Sequence, residues 1–281
     1  MEKILSGKEV SKKIEEELIN SISKLKDKNI VPCLAILRIG KREDSISYEK
    51  SMIKKCEKYG IKVEKIEFSE QVKKEEVIKQ IQKWNWDVNI HGIMPLKPLP
   101  FENEICNAID ISKDIDGTST TSMANLYKGE KTAFSPCTPM ACIKILEYYH
   151  IPCEGKNIVI IGRSLVVGKP LAMLLLEKNA TVTICHSKTK NLQEICSKAD
   201  ILISAIGKAN KITKEYTNKN QIVIDVGINV TNEGLCGDVD FDKVVNNVEA
   251  ITPVPGGVGS VTTMQLLENV VKVAEKVNWK E

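Results

Sequence analysis

The residues best placed to do chemistry lie between Asn157 and Pro170. A β-branched run, Ile158 to Ile161, ends in Gly162-Arg163-Ser164. Val167 and Gly168 then lead into the helical-looking Pro170-Leu171-Ala172-Met173-Leu174. A strand, a glycine turn and a helix start make a phosphate cradle: backbone amides approach a pyrophosphate, and the helix N-terminus stabilises its charge. Ser164 stands where a dinucleotide fingerprint has its second glycine, and the next glycine is Gly168. Taken alone, the run also fits an ordinary glycine turn in a parallel α/β protein.

The end of the following strand bears on which nucleotide is bound. An acid there would bond a ribose 2′-hydroxyl and repel a 2′-phosphate. The segment Cys185-His186-Ser187-Lys188-Thr189 has none. Ser187 can donate to a phosphate, and Lys188 and Arg163 carry positive charge, which together favour NADP. The alternative is a polar turn whose lysine faces water.

Other reactive types read less sharply. Asp114 and Asp116 flank Ile115 beside Gly117, a pattern commoner in turns than in catalytic dyads. Tyr48 on a helix is ordinarily half-buried packing. His91, His150 and His186 have no ligand spacing, so no metal is expected. The nine cysteines are scattered without a C-x-x-C pair, which fits a reducing cytoplasm; Cys137 reads as structural.

The elements that must hold these residues alternate. Val10, Ile14, Leu18 and Ile22 form one helix face behind Ser6-x-x-Glu9, a capping box. Strands are expected at 33–37, 61–68, 88–94, 157–161, 181–185, 201–204 and 222–226. Helices are expected at 45–59, ending at Gly60, at 140–149, and at 262–277. Three prolines deny regular structure to Pro95-Leu96-Lys97-Pro98-Leu99-Pro100, a loop at a strand's carboxyl end where ligands usually bind. Such alternation implies an α/β protein with a parallel, doubly wound sheet. With 281 residues, two domains are expected: 1–139 with 262–281, and a Rossmann-like 140–261.

Forty Lys and Arg against 37 Asp and Glu give a net charge of +3, which leaves no basic footprint for nucleic acid. No apolar run approaches a membrane span, and Met1 to Ser6 lacks a signal-peptide core.

Eight segments in register carry a family resemblance: Ser45-x-x-Tyr48, Pro98-Leu99-Pro100, Lys113 to Gly117, Pro136 to Pro139, Gly162 to Pro170, Asp225 to Asn229, Gly237-Asp238-Val239 and Thr252 to Gly259. Together they resemble the 5,10-methylenetetrahydrofolate dehydrogenase/methenyltetrahydrofolate cyclohydrolase family, often called FolD, across nearly the whole chain. The resemblance implies a folate-binding domain and an NADP-binding domain with a cleft between them, and a homodimer. It implies oxidation of methylenetetrahydrofolate, then hydrolysis of the methenyl product to 10-formyltetrahydrofolate. On it, Gly162, Arg163, Ser164, Val167, Gly168 and Ser187 are expected to hold the cofactor, with Ile228 beside the nicotinamide. Tyr48, Asp116 and the loop Pro255-Gly256-Gly257 are expected to hold the folate.

Two positions depart from that pattern. The family's tyrosine is followed four residues later by a lysine, the principal group of the hydrolytic step; Met52 stands there. Residues four apart share a helix face, so tyrosine and lysine would converge on one substrate, but a thioether cannot move protons. The glutamine that supports the lysine is replaced by Leu96. Both changes fall on the same step. The implied reading is a dehydrogenase without cyclohydrolase. The alternatives are both activities with Lys97 or Lys54 substituting, or a non-catalytic folate- or nucleotide-binding paralogue.

Overall fold

The structure, a computed structural model, describes residues 3–232 and 234–276. It divides into two compact units, Met1–Lys13 with Pro136–Met264, and Ile14–Ser135 with Gln265–Glu281. The first helix, α1 (Gly7–Asp27), contributes to both. The leading segment groups with the nucleotide-type unit because Leu5 N donates to Ile251 O and Ile251 N donates to Lys3 O.

In the unit containing Tyr48, β1 (Cys33–Ile39), α2 (Glu43–Tyr59), β2 (Lys62–Phe68), α3 (Lys74–Trp86) and β3 (Gly92–Pro95) alternate, followed by α4 (Glu102–Asn107) and α5 (Thr120–Lys128). The parallel sheet has the order β2-β1-β3. All of β1 is buried, as a strand covered on both faces must be. Ala35, Leu37 and Ile93 pack with Val77, Ile81 and Trp84 in one core. Gly60 terminates α2 in the left-handed region, φ 73°. Strand β3 begins at Gly92 rather than at 88, because Asp87 Oδ1 accepts from Asn89 N and Nδ2 and bends that segment into a turn.

In the other unit the order is α6 (Cys137–Tyr148), β4 (Asn157–Ile161), α7 (Gly168–Glu177), β5 (Thr181–Cys185), α8 (Leu192–Ser197), β6 (Ile201–Ser204), β7 (Ile222–Asp225), β8 (Asn229–Thr231), β9 (Gly234–Cys236), α9 (Phe241–Val244) and β10 (Ala250–Ile251); the last helix, α10 (Val258–Lys276), starts here and from Gln265 on belongs to the unit containing Tyr48. The five-stranded sheet is parallel with the order β10-β7-β6-β4-β5. Its core includes Val159, Ile161, Leu202 and Val223. The β8-β9 pair is an antiparallel hairpin that the sequence pattern did not reveal. Helix α6 starts at Cys137 and α10 at Val258, both ahead of the expected 140 and 262. Residue 277, the expected end of the last helix, and the rest of the 277–281 stretch lie outside the described residues.

The chain order reverses between β4 and β6, and ligands of doubly wound sheets bind at the carboxyl ends of the strands beside such a reversal. Ile161 pairs with both Cys185 and Ser204. The next residues along each strand, Gly162, His186 and Ala205, therefore emerge side by side at that edge. Among the described residues, no helix is long and apolar enough to cross a membrane, and no group of three His, Cys, Asp or Glu is placed to hold a metal ion.

Candidate active site

A cavity of about 490 Å³ opens at that edge. Gly162, Arg163 and Ser164 form one wall, His186, Ser187 and Thr189 a second, and Ala205, Ile206, Lys208 and Lys211 a third; Leu192, Ile212 and Tyr216 add apolar surface. Its first wall is possible only with glycine. Gly162 has φ 135°, and a Cβ there would meet Ala205 O at 2.4 Å. A Cβ on Gly168 would meet Gly162 O at 2.0 Å, so the first turn of α7 lies directly on the loop. Ser164, at the missing glycine, stabilises the turn itself: its Oγ accepts from Val167 N at 3.1 Å. Val167 and Gly168 thus shape the cradle from behind its wall.

The second wall is a tight turn in which His186 N donates to Thr189 Oγ1 and Thr189 N donates to His186 O. Ser187 and Lys188 lie exposed at its tip; Ser187 lines the cavity and Lys188 does not. Lys208 and Lys211 have no distinguishing signal in the sequence. Nothing marks them among the chain's other lysines until the fold brings the β6 loop beside the glycine turn.

That loop hangs on one buried side chain. Asp238 Oδ2 accepts from Ile206 N at 2.7 Å, Gly207 N at 3.3 Å and Ser204 Oγ at 3.1 Å. Its Oδ1 accepts from Lys208 N at 2.8 Å and Asn229 Nδ2 at 3.1 Å. Neighbouring Asp225 accepts from Gly227 N, Asp238 N and Val239 N. Burial pushes the Asp225 carboxyl up to about 6, against the pull of those amides and with the help of the Asp238 charge. Ile228, just past β7, is exposed.

The second cavity, about 350 Å³, belongs to the unit containing Tyr48. Tyr48 and Ser45 reach it from α2, Leu96 and Lys97 from the proline loop, and Asp116 and Thr118 from the turn after β3. Asp114 builds that turn: its carboxyl oxygens accept from Thr118 N, Thr118 Oγ1, Ser119 N and Ser122 Oγ. Asn269 Nδ2 holds Ile115 O from α10 at 2.8 Å. Asp116 is therefore displayed on a fixed loop. Pro255, Gly256 and Gly257 belong to the other unit and line neither cavity.

Two family models match the chain. "Tetrahydrofolate dehydrogenase/cyclohydrolase, catalytic domain" covers residues 5–116, and "Tetrahydrofolate dehydrogenase/cyclohydrolase, NAD(P)-binding domain" covers 136–278. The chain belongs to the tetrahydrofolate dehydrogenase/cyclohydrolase family. It is 52% identical over 280 residues to a "Bifunctional protein FolD" of Clostridium botulinum, spanning 98% of this chain and 99% of the relative. Among solved structures, the bifunctional enzyme FolD of Campylobacter jejuni superposes with a TM-score of 0.94 at 42% identity, covering 97% of this chain and 98% of that one. A Trypanosoma brucei FolD structure, complexed with NADP cofactor and an inhibitor, has a TM-score of 0.90 at 30% identity and 97% coverage of both chains.

Helix α2 presents Tyr48 to the cavity but turns the position four residues later into the core. Met52 is 1% exposed and lies off the cavity wall, on the buried face with Ser45, Glu49 and Cys56. Leu96 does line the cavity, presenting hydrocarbon to it. Lys97 also lines it, with Nζ 2.6 Å from Glu102 Oε1. Lys54 is exposed and does not line it.

Proposed function

We propose that this protein oxidises 5,10-methylenetetrahydrofolate to the methenyl form in one-carbon metabolism, with NADP as hydride acceptor, and lacks the hydrolytic step. The observation that carries the reading is the nucleotide cavity: a glycine cradle at the sheet's reversal point, lined by Arg163, Lys208 and Lys211 and by no carboxylate. Such a lining suits a dinucleotide with an additional 2′-phosphate and would gain nothing from a bare ribose hydroxyl. Gly162, Arg163, Ser164 and Ser187 would hold the phosphates, Val167 and Gly168 would keep the turn in shape, and Ile228 would face the nicotinamide half.

Bound NADP supplies the hydride acceptor. On the folate side, Tyr48 and Asp116 would orient the pterin, and Pro255, Gly256 and Gly257 would offer backbone contacts. The bridge carbon can release hydride because its flanking nitrogens delocalise the cation that remains. The side chains are therefore asked to position rather than to exchange protons, and holding reacting atoms roughly 3–3.5 Å apart provides most of the acceleration.

Hydrolysis of the methenyl cation makes a different demand, since a water must lose a proton as it attacks. Met52 has no titratable group and Leu96 none to support one. Lys97 Nζ is engaged by Glu102 Oε1. Lys54 is off the cavity wall. We further propose a homodimer, supported by exposed apolar side chains on the β8-β9 hairpin, Val230 at 84% and Leu235 at 51%; sedimentation at micromolar concentration tests it.

The functional test tracks methenyltetrahydrofolate absorbance. Mixing the protein with methylenetetrahydrofolate and NADP is expected to produce NADPH and the methenyl species together. With methenyltetrahydrofolate alone, decay is expected at the buffer rate. No NADPH would overturn the dehydrogenase reading. Enzyme-dependent decay would overturn the loss of hydrolysis and direct mutagenesis to Lys97 and Lys54.

A further inference from the structure

We propose that Lys211, with Lys208 beside it, is a specificity determinant for the 2′-phosphate of the cofactor, reaching it from the β6 loop. The inference rests on the NADP reading and assigns part of the discrimination to residues outside the glycine turn and the β5 turn. Arg163, Lys208 and Lys211 line one cavity, and among the described residues none of the three has an ion-pair partner. Surface lysines usually find a carboxylate or point into water. Three unpaired cations around one concavity create a positive field that an anion must neutralise.

The loop is also held still. Between β6 and residue 212, three amides donate to Asp238. Asn210 N then donates to Gly237 O at 3.1 Å and Ile212 N to Asp238 O at 2.9 Å, on either side of Lys211. Ile212 and Val239 complete a parallel bridge. The backbone that carries both lysines is thus ordered before any ligand arrives, which limits the ordering cost of binding to the lysine stems. Asp238 forms no ion pair with either lysine: it does not line the cavity, it is 0% exposed and its oxygens accept from five donors. The apolar surface of Leu192, Ile212 and Tyr216 beside the lysines suits a purine ring, which places the adenosine end of the ligand on this side.

The test uses calorimetric titration of the full chain with adenosine 2′,5′-bisphosphate and with 5′-AMP, two probes that differ only in the 2′-phosphate. The wild type is expected to prefer the bisphosphate. Lys211→Ala is expected to weaken bisphosphate binding roughly 10-fold, as loss of one charge-assisted contact should, and to leave 5′-AMP binding unchanged. Lys208→Ala should act in the same direction, and Lys211→Arg should retain the preference. Equal weakening toward both probes would place the lysines on the shared 5′-phosphate and overturn the proposal, as would no change with either. A wild type that binds the two probes alike would overturn the NADP reading itself, and this inference with it.

Discussion

Replacing Asp238 by Asn tests whether one buried side chain organises the nucleotide site. The two side chains have the same shape, but Asn exchanges one acceptor oxygen for a donor amide. In one orientation the new amide faces Lys208 N and Asn229 Nδ2; in the other it faces Ile206 N and Gly207 N. Each buried N–H that loses its acceptor costs about 1–3 kcal/mol. Asn229 can turn its own amide to offer oxygen, so the first orientation wins, only Lys208 N loses its acceptor, and the net loss is roughly 1–3 kcal/mol. In a chain of this size that lowers the melting temperature by roughly 2–12 °C. The released segment is the one carrying Lys208, so NADP affinity should fall with stability. Thermal melts with and without NADP, together with an NADP titration, measure both. A variant that melts within about 1 °C of wild type and binds NADP equally well would refute the claim that Asp238 orders the loop.

Two further predictions address the other unit. His91 accepts from Cys33 N through Nδ1, and burial, aided by the Lys113 charge, lowers its pKa to about 4. Between about 6.5 and 4 the unfolded chain takes up a proton that the folded chain refuses, so this contribution is intact above 6.5 and is lost as pH falls, about 3 kcal/mol in all. Asp225 acts oppositely: its raised pKa keeps the proton on the folded chain up to about 6, so its contribution declines as pH rises toward that value. The measurement is therefore a difference. His91→Asn, which keeps an acceptor for Cys33 N, should show a shallower loss of melting temperature from pH 6.5 to 4 than wild type, and parallel curves would contradict the assignment. For the hydrolytic step, Met52→Lys with Leu96→Gln should raise methenyltetrahydrofolate decay roughly 100-fold over the parent, the lower bound for a placed acid/base group. No gain in a folded double variant would show that the two side chains are not what the step lacks.

Much of the site was legible because it depends on local backbone chemistry. Gly162 and Gly168 are dictated by contacts of 2.0–2.4 Å that no Cβ survives, so they appear as letters in the sequence. The missing acid after β5 was equally plain. Gly60 announced the end of α2 because a left-handed cap excludes most side chains. Elements that depend on partners were less legible. The start of β3 moved because the Asp87 side chain captured Asn89. The β8-β9 hairpin is too short to carry a periodic signal.

The sequence by itself determined the glycine cradle, the alternating α/β order and the absence of a titratable group at Met52 and of an amide at Leu96, because each depends on what a residue type can or cannot do. Only the tertiary structure decided which charges share a cavity. Lys208 and Lys211 stand more than forty residues from Arg163, and parallel register at β4 and β6 brings them to one edge. It also decided that Lys97 meets Glu102, that Asp116 rides on a turn held by Asp114 and Asn269, and that Asp238 serves a loop some thirty residues before it. Pairings between distant segments are set by strand order and packing, which no local pattern of residues encodes.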